Sequence, residues 1–305
     1  MSDSPALFDR PAIRRARTRA TPGFADAAFL VDEVAERLLD RLDDVDRRFP
    51  LALDLGCHTG QVAARLAGRG GVATLVQADA SAAMASRAGG LTVVADEEAL
   101  PFAGNRFDLV LSCFNLHGVN DLPGTLVQIR RALKPDGLFL AALPGGQTLH
   151  ELRHALMQAE IETTGGAAPR VMPFTDVRDA GMLLQRAGFA LPVVDMETIT
   201  VTYAHPLVLM RELRAMGEAN AVALRSRKPL RRDVLMRAAA IYQETFGTAE
   251  GRVRATFEIL FLAAWHPHES QQQPLRRGSG QESLAKALGV PLEVLEGKAK
   301  RGDPT

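Results

Sequence analysis

Five short apolar runs follow one another between residues 51 and 143 of this 305-residue chain, most of them separated by helix-patterned stretches. The runs are Leu51–Leu55 (LALDL), 73–78 (ATLVQA), 91–95 (LTVVA), 107–113 (FDLVLSC) and 138–143 (LFLAAL). Each is strand-sized and too uniformly apolar to leave one face in water. Such runs belong to a mostly parallel sheet with helices on both faces. The intervening segments carry helix signals: Ser81 as an N-cap, and Asp121 ahead of Pro123. Lys134-Pro135-Asp136-Gly137 reads as a turn before the fifth run.

In such sheets, ligands bind beyond the carboxyl ends of the strands, so the polar residues there draw attention. Here they are Asp54, Asp79 and Asp96, and the stretch after Cys113. Leu51–Gly60 is a strand, a glycine turn and a helix start. That is a nucleotide-binding arrangement, but its spacing, D-x-G-x-x-x-G, departs from the dinucleotide form. The Asp79 carboxylate suits the two hydroxyls of a ribose, and Asp96 suits an adenine amino group. Asp54 is placed to order the turn or to reach a ligand amino group through water.

After residue 147 the alternation loosens. Residues 148–163 and 175–187 read as helices, 192–202 as an edge strand, and 256–265 as a last strand. The helical piece between them, about 203–254, reads as an insertion. The expected organisation is a basic arm at 1–25, one domain at 26–268 and a mobile tail at 269–305.

Lys+Arg and Asp+Glu are each 36, so no global charge draws the chain to nucleic acid. Two cysteines, Cys57 and Cys113, cannot build a disulfide framework, and a reducing, cytoplasm-like compartment is expected. No apolar run reaches membrane-helix length, which leaves peripheral membrane association open. Arg10, Arg14, Arg15, Arg17 and Arg19 crowd the arm. A mitochondrial transit peptide is one reading; a basic first helix of the mature protein is preferred, since Asp3 and Asp9 interrupt the charge.

LALDLGCHTG, QADAS, VVADEEALPF, FDLVLSCFNLHGVNDLP and ALKPDGLF, in that order, resemble the class I S-adenosylmethionine-dependent methyltransferases. Within them the chain resembles the branch of the malonyl-acyl-carrier-protein methyltransferase of biotin synthesis. PGGQTLHELRHAL, PFTDV, LLQRAGF, RELRAMGEANA and WHPHESQQQPLRRGS sharpen the resemblance to bacterial relatives of mitochondrial complex I assembly factor 5, an arginine-hydroxylase family. The resemblance runs from Phe8 to Ser279. It implies a Rossmann-like α/β fold with seven strands in the order 3-2-1-4-5-7-6, the last antiparallel, and a helical insertion before it.

The resemblance also implies S-adenosyl-L-methionine as cofactor, with Asp54, Gly56, His58, Gly60, Asp79, Asp96 and Cys113 as its binding residues. His117 and Asn115 become the candidate catalytic pair, beside the expected methyl site, with a pocket-shaping loop histidine as the plain alternative for His117. The implied substrate is a side chain on a protein, possibly a complex I subunit, in the bacterial cytoplasm or on the mitochondrial matrix side. A biotin-synthesis methyltransferase and a non-catalytic cofactor-binding chaperone are the competing readings.

Two positions depart from the family. His58 stands where a glycine is usual and would crowd the cofactor's methionine half or donate to its carboxylate. Gly118 stands where an aromatic residue is usual and is expected to open the pocket. His150-Glu151-Leu152-Arg153-His154 matches the zinc-peptidase helix H-E-x-x-H, but no third ligand is specified, and no metal is expected there. Glu218, Asn220, Arg225 and Arg227 fall at a helix break where they could face the substrate.

Overall fold

Most of the parallel strands here return through a helix that covers the sheet. The computed structural model describes residues 6–272. The chain divides into two compact units, residues 1–268 and 269–305, and the second lies almost entirely outside the described residues, as does the tail expected there.

The first unit begins with α1 (Arg10–Ala20), α2 (Phe24–Ala27) and α3 (Phe29–Asp43). Then come β1 (Leu51–Leu55), α4 (Gln61–Leu66), β2 (Thr74–Asp79), α5 (Ala82–Ala88), β3 (Leu91–Val94), β4 (Phe107–Cys113), α6 (Leu122–Ala132) and β5 (Leu133–Pro144). The later part holds α7 (His150–Thr164), α8 (Val177–Arg186), β6 (Ala190–Tyr203), α9 (Pro206–Ala215), α10 (Arg232–Phe246) and β7 (Val253–Trp265). The seven strands form one sheet in the order β3-β2-β1-β4-β5-β7-β6, with β7 antiparallel to both neighbours. This is the order and sense that the family resemblance implies. The helical insertion, α9 and α10, precedes the last strand.

Two apolar layers hold the sheet. On one face Leu38, Leu39 and Leu42 of α3 pack with Leu109, Leu111 and Leu140 of the strands. On the other, Leu126 and Ile129 of α6 and Leu184 of α8 pack with Leu53, Val110 and Phe139. These side chains are buried to within 1%, and each full burial of this kind contributes about 1.5–3 kcal/mol.

The helix signals read from sequence act locally. Ser81 accepts from the Met84 amide and Asp121 from the Gly124 amide, each capping its helix. The Lys134–Gly137 turn is different. It lies inside β5, whose first residue Leu133 already pairs with Phe107 before the register shifts at Leu109. Asp136 takes φ 62° there, so these residues make a bulge in a continuous strand rather than a separate connection.

Candidate functional site

Asp54, Asp79 and the glycine turn meet at the carboxyl end of β1 and β2. Gly56 has φ +82°, a conformation that disfavours side chains, and a Cβ on it would come within 2.0 Å of the Asn115 side chain. The close approach lets Asn115, just after β4, cap the turn. Gly60 closes the turn against the Ala88 carbonyl at the end of α5.

His58 keeps the left-handed backbone that its usual glycine would adopt, φ +49°. The imidazole is buried, stacks on Phe24 at 5.4 Å, and donates from Nε2 to the Cys113 carbonyl at 3.0 Å. Burial, aided by the Arg17 charge, brings its pKa down to about 4, so the ring is neutral near pH 7. Its Nδ1 is buried without a partner. Cys113 thus offers the turn its carbonyl; its thiol points instead to the Val31 carbonyl at 3.8 Å.

Asp79 is fully buried. One carboxylate oxygen accepts from the His58 amide at 3.1 Å and the other from the Ser81 amide at 2.7 Å. Each oxygen keeps a lone pair for a ligand hydroxyl. Burial pushes the Asp79 pKa up against the opposing Arg17 charge. Asp54 is also fully buried, with no partner on either oxygen. Burial, reinforced by Asp79, pushes its pKa up to about 8, so it carries its proton near neutrality.

Asp96 sits at the rim. It accepts from Arg10 at 2.7 Å, from Arg14 at 3.2 Å and from the Glu98 amide at 3.0 Å. Burial raises its pKa, but the Glu98 amide and the two arginines outweigh it and hold the carboxyl below its usual value. Beside it Glu97, fully buried, joins Arg10 to the Asn115 amide. Asn115 in turn accepts from Arg17. A continuous chain of polar contacts, Arg10–Glu97–Asn115–Arg17, therefore runs under α1.

Residues 6–25, read as an arm, supply this cover. Asp9 caps α1, and Arg10, Arg14 and Arg17 fall on one helical face at i, i+4 and i+7. Sequence reading flagged the arginine cluster but not the spacing, which was the signal available. Gly118 also changes meaning. A Cβ there would meet Ile13 at 2.7 Å, so α1 fills the space that an aromatic residue would take. The expected opening of the pocket is absent.

His117 lies in a short turn, Leu116–Gly118, with Nε2 3.0 Å from Glu218 Oε2 and its ring 6.0 Å from Phe174. Burial would raise the Glu218 pKa, but His117, Arg17 and His58 outweigh it and bring the carboxyl down to about 2. The carboxylate accepts from Nε2, and Nδ1 is buried without a partner. Glu218 follows α9, so the insertion completes this pair. It also borders a cavity of about 470 Å³ with Leu152, Leu156, Met210, Asn220 and Arg225.

Other charges of the insertion have partners of their own. Arg225 pairs with Asp9 at 2.9 Å, Arg231 with Asp233, and Glu212 with the Tyr203 hydroxyl at 3.2 Å. In the H-E-x-x-H helix, Glu151 turns inward to accept from Thr256, while His150 and His154 stand edge-on to Phe246.

The donor set suits S-adenosyl-L-methionine. Asp79 has acceptor capacity left for ribose hydroxyls, Asp96 for an adenine amino group, and the β4-end carbonyls for an ammonium. Asp54, His58 and Arg17 each keep a buried polar atom without a partner.

Comparisons with known proteins give the family and the fold. Residues 53–141 match the methyltransferase domain family. The chain is similar to the mitochondrial arginine-hydroxylase NDUFAF5 of Danio rerio, 45% identical over 287 residues, covering 92% of this chain and 88% of that one. It is also similar to a malonyl-[acyl-carrier protein] O-methyltransferase of Halorhodospira halophila, 37% identical, covering 85% of this chain and 88% of the relative. A solved structure from Bacillus halodurans, described as a methyltransferase, superposes with a TM-score of 0.53 at 17% identity, covering 76% of this chain and 99% of that one. That likeness concerns the fold alone.

Proposed function

Because this chain belongs to the NDUFAF5 arginine-hydroxylase family, within the class I S-adenosylmethionine-dependent methyltransferase superfamily, we propose that it binds S-adenosyl-L-methionine and modifies an arginine side chain of a protein, a subunit of respiratory complex I. The observation that carries this reading is the reach of the likeness. It spans 92% of the chain, and so covers the helical insertion as well as the cofactor half. The insertion matters because it brings Glu218 to His117 at 3.0 Å.

The proposed roles follow from the geometry. Asp79 holds the ribose and Asp96 the adenine, once Arg10 and Arg14 share it. Gly56 and Gly60 admit the backbone of the turn to the ligand, with Asp54, His58 and the Cys113 carbonyl around its amino-acid end. When bound, the cofactor would supply a sulfonium methyl for methyl transfer; hydroxylation of an arginine would in addition draw on dioxygen and two electrons from an external reductant. The protein excludes water with α1 and orients the acceptor. Asn115 fixes the turn through Gly56 and Glu97. His117 exchanges a proton at Nδ1 while Glu218 holds its other nitrogen. Glu218, at the edge of its cavity, faces the side from which a protein side chain enters.

The test compares intact masses of complex I subunits from cells with and without this gene. A gain of one oxygen on an arginine supports hydroxylation, and a gain of one CH₂ supports methyl transfer. No mass difference, with complex I assembled normally, refutes the reading. The likeness to the Halorhodospira enzyme supports a second reading, ester formation on an acyl carrier protein. A biotin requirement in the deletion strain with normal complex I would select it. Loss of complex I without any mass change would select a cofactor-binding chaperone.

A further inference from the structure

Arg17 is 3% exposed, and α1 aims it into the cluster just described. Its guanidinium has five N–H donors, yet its partners are neutral oxygens. Nη1 donates to Asn115 Oδ1 and Nη2 to the Phe114 carbonyl at 3.4 Å. Nε is buried with no partner. Among the described residues no carboxylate stands in ion-pair contact with it. A buried cation left with neutral partners and an orphan donor is costly unless an anion completes its shell.

Its position says which anion. Asn115 packs on Gly56, and Phe114 follows Cys113, whose carbonyl takes His58. Arg17 therefore stands where the β1 turn meets the end of β4. Arg10 and Arg14, on the same helical face, hold Asp96 at the other end of the row of acidic strand ends. Seven residues of helix separate Arg10 from Arg17, a rise of about 10 Å. The helix lies along the proposed cofactor groove, with its first arginines at the adenine end and its last at the amino-acid end.

We propose that Arg17 is a cofactor-binding residue that receives the α-carboxylate of S-adenosylmethionine, so that α1 is a wall of the site. This rests on the cofactor reading above. The carboxylate would occupy the free Nε and the weakly used Nη2, replacing the long contact to Phe114. That carbonyl would then be open to the ligand ammonium, beside the Cys113 carbonyl that His58 holds.

The experiment is calorimetry of the full chain with S-adenosylmethionine and with decarboxylated S-adenosylmethionine, which keeps the ammonium and sulfonium and lacks only the carboxylate. The wild type should bind the decarboxylated ligand about 10- to 100-fold more weakly. Arg17→Gln should lose a similar factor for S-adenosylmethionine and almost nothing for the decarboxylated ligand, and Arg17→Lys should recover part of the loss. Equal losses for both ligands would make Arg17 a structural support of α1 and overturn the assignment. Unchanged or tighter binding of S-adenosylmethionine by Arg17→Gln would make it a plug that the cofactor displaces, and overturn it as well. Should Arg17→Gln fail to fold, the discrimination shown by the wild type and by Arg17→Lys decides. A wild type that binds neither ligand refutes the cofactor reading itself, whereas a wild type that binds both equally refutes only the role of Arg17.

Discussion

Replacing Asp54 by Asn should change how stability depends on pH more than it changes the fold. Asp54 is fully buried, and its carboxyl titrates at about 8, against 3.8 for an ordinary aspartate. Between those values the folded chain holds a proton that the unfolded chain has released. Stability contributed by this group is complete below pH 3.8 and declines as pH rises, by about 1.4 kcal/mol per unit. His58 acts in the opposite sense, because its pKa falls from 6.5 to about 4 on folding. Its contribution is complete above pH 6.5 and is lost as pH falls through 4. From pH 4 to 6.5 the two slopes cancel. From 6.5 to 8 only the Asp54 slope remains, a loss of about 2 kcal/mol.

Asp54→Asn removes the falling limb. Its stability relative to wild type should therefore improve by about 4 kcal/mol between pH 5 and pH 8. Urea unfolding at a series of pH values measures this difference. Asp79 shifts in the same direction and helps raise Asp54, so the difference measured belongs to the coupled pair of carboxyls. Parallel stability curves for the variant and wild type across that range would show that Asp54 is not the protonated group.

Three further outcomes are expected. Asp79→Ala removes a charged acceptor of two hydroxyls and should weaken S-adenosylhomocysteine binding by about 10- to 150-fold in calorimetry; equal affinity would take Asp79 out of the site. His58→Gly relieves a left-handed backbone and frees the Cys113 carbonyl, so the same ligand should bind at least as tightly as to wild type, roughly tenfold tighter if the ring obstructs the site. Weaker binding would mean that the imidazole is a ligand contact. Gly118→Trp should force Ile13 and α1 outward and lower stability by about 1–3 kcal/mol, visible in thermal melts; a neutral effect would deny that α1 packs there.

The five apolar runs were enough to specify the parallel part of the sheet. Apolar runs such as 107–113 and 138–143 are long enough and apolar enough to be buried on both faces, and the helices between most of the runs favour a parallel sheet. The acidic strand ends were equally legible, since strand termini follow from the runs themselves. The position and sense of β7 came through the family resemblance. The Lys134–Gly137 segment looked like a turn because its residues favour one locally; pairing of Leu133 with Phe107 overrode that preference. The site's polar wiring was out of reach for a different reason. Arg17 and Asn115 lie 98 positions apart, His117 and Glu218 101, and no local pattern marks such a pair. Gly118 shows the same limit. Its missing side chain read as an opening, and only the packing of α1 decided that Ile13 would fill it, because a void against an apolar helix face collapses wherever the backbone can approach.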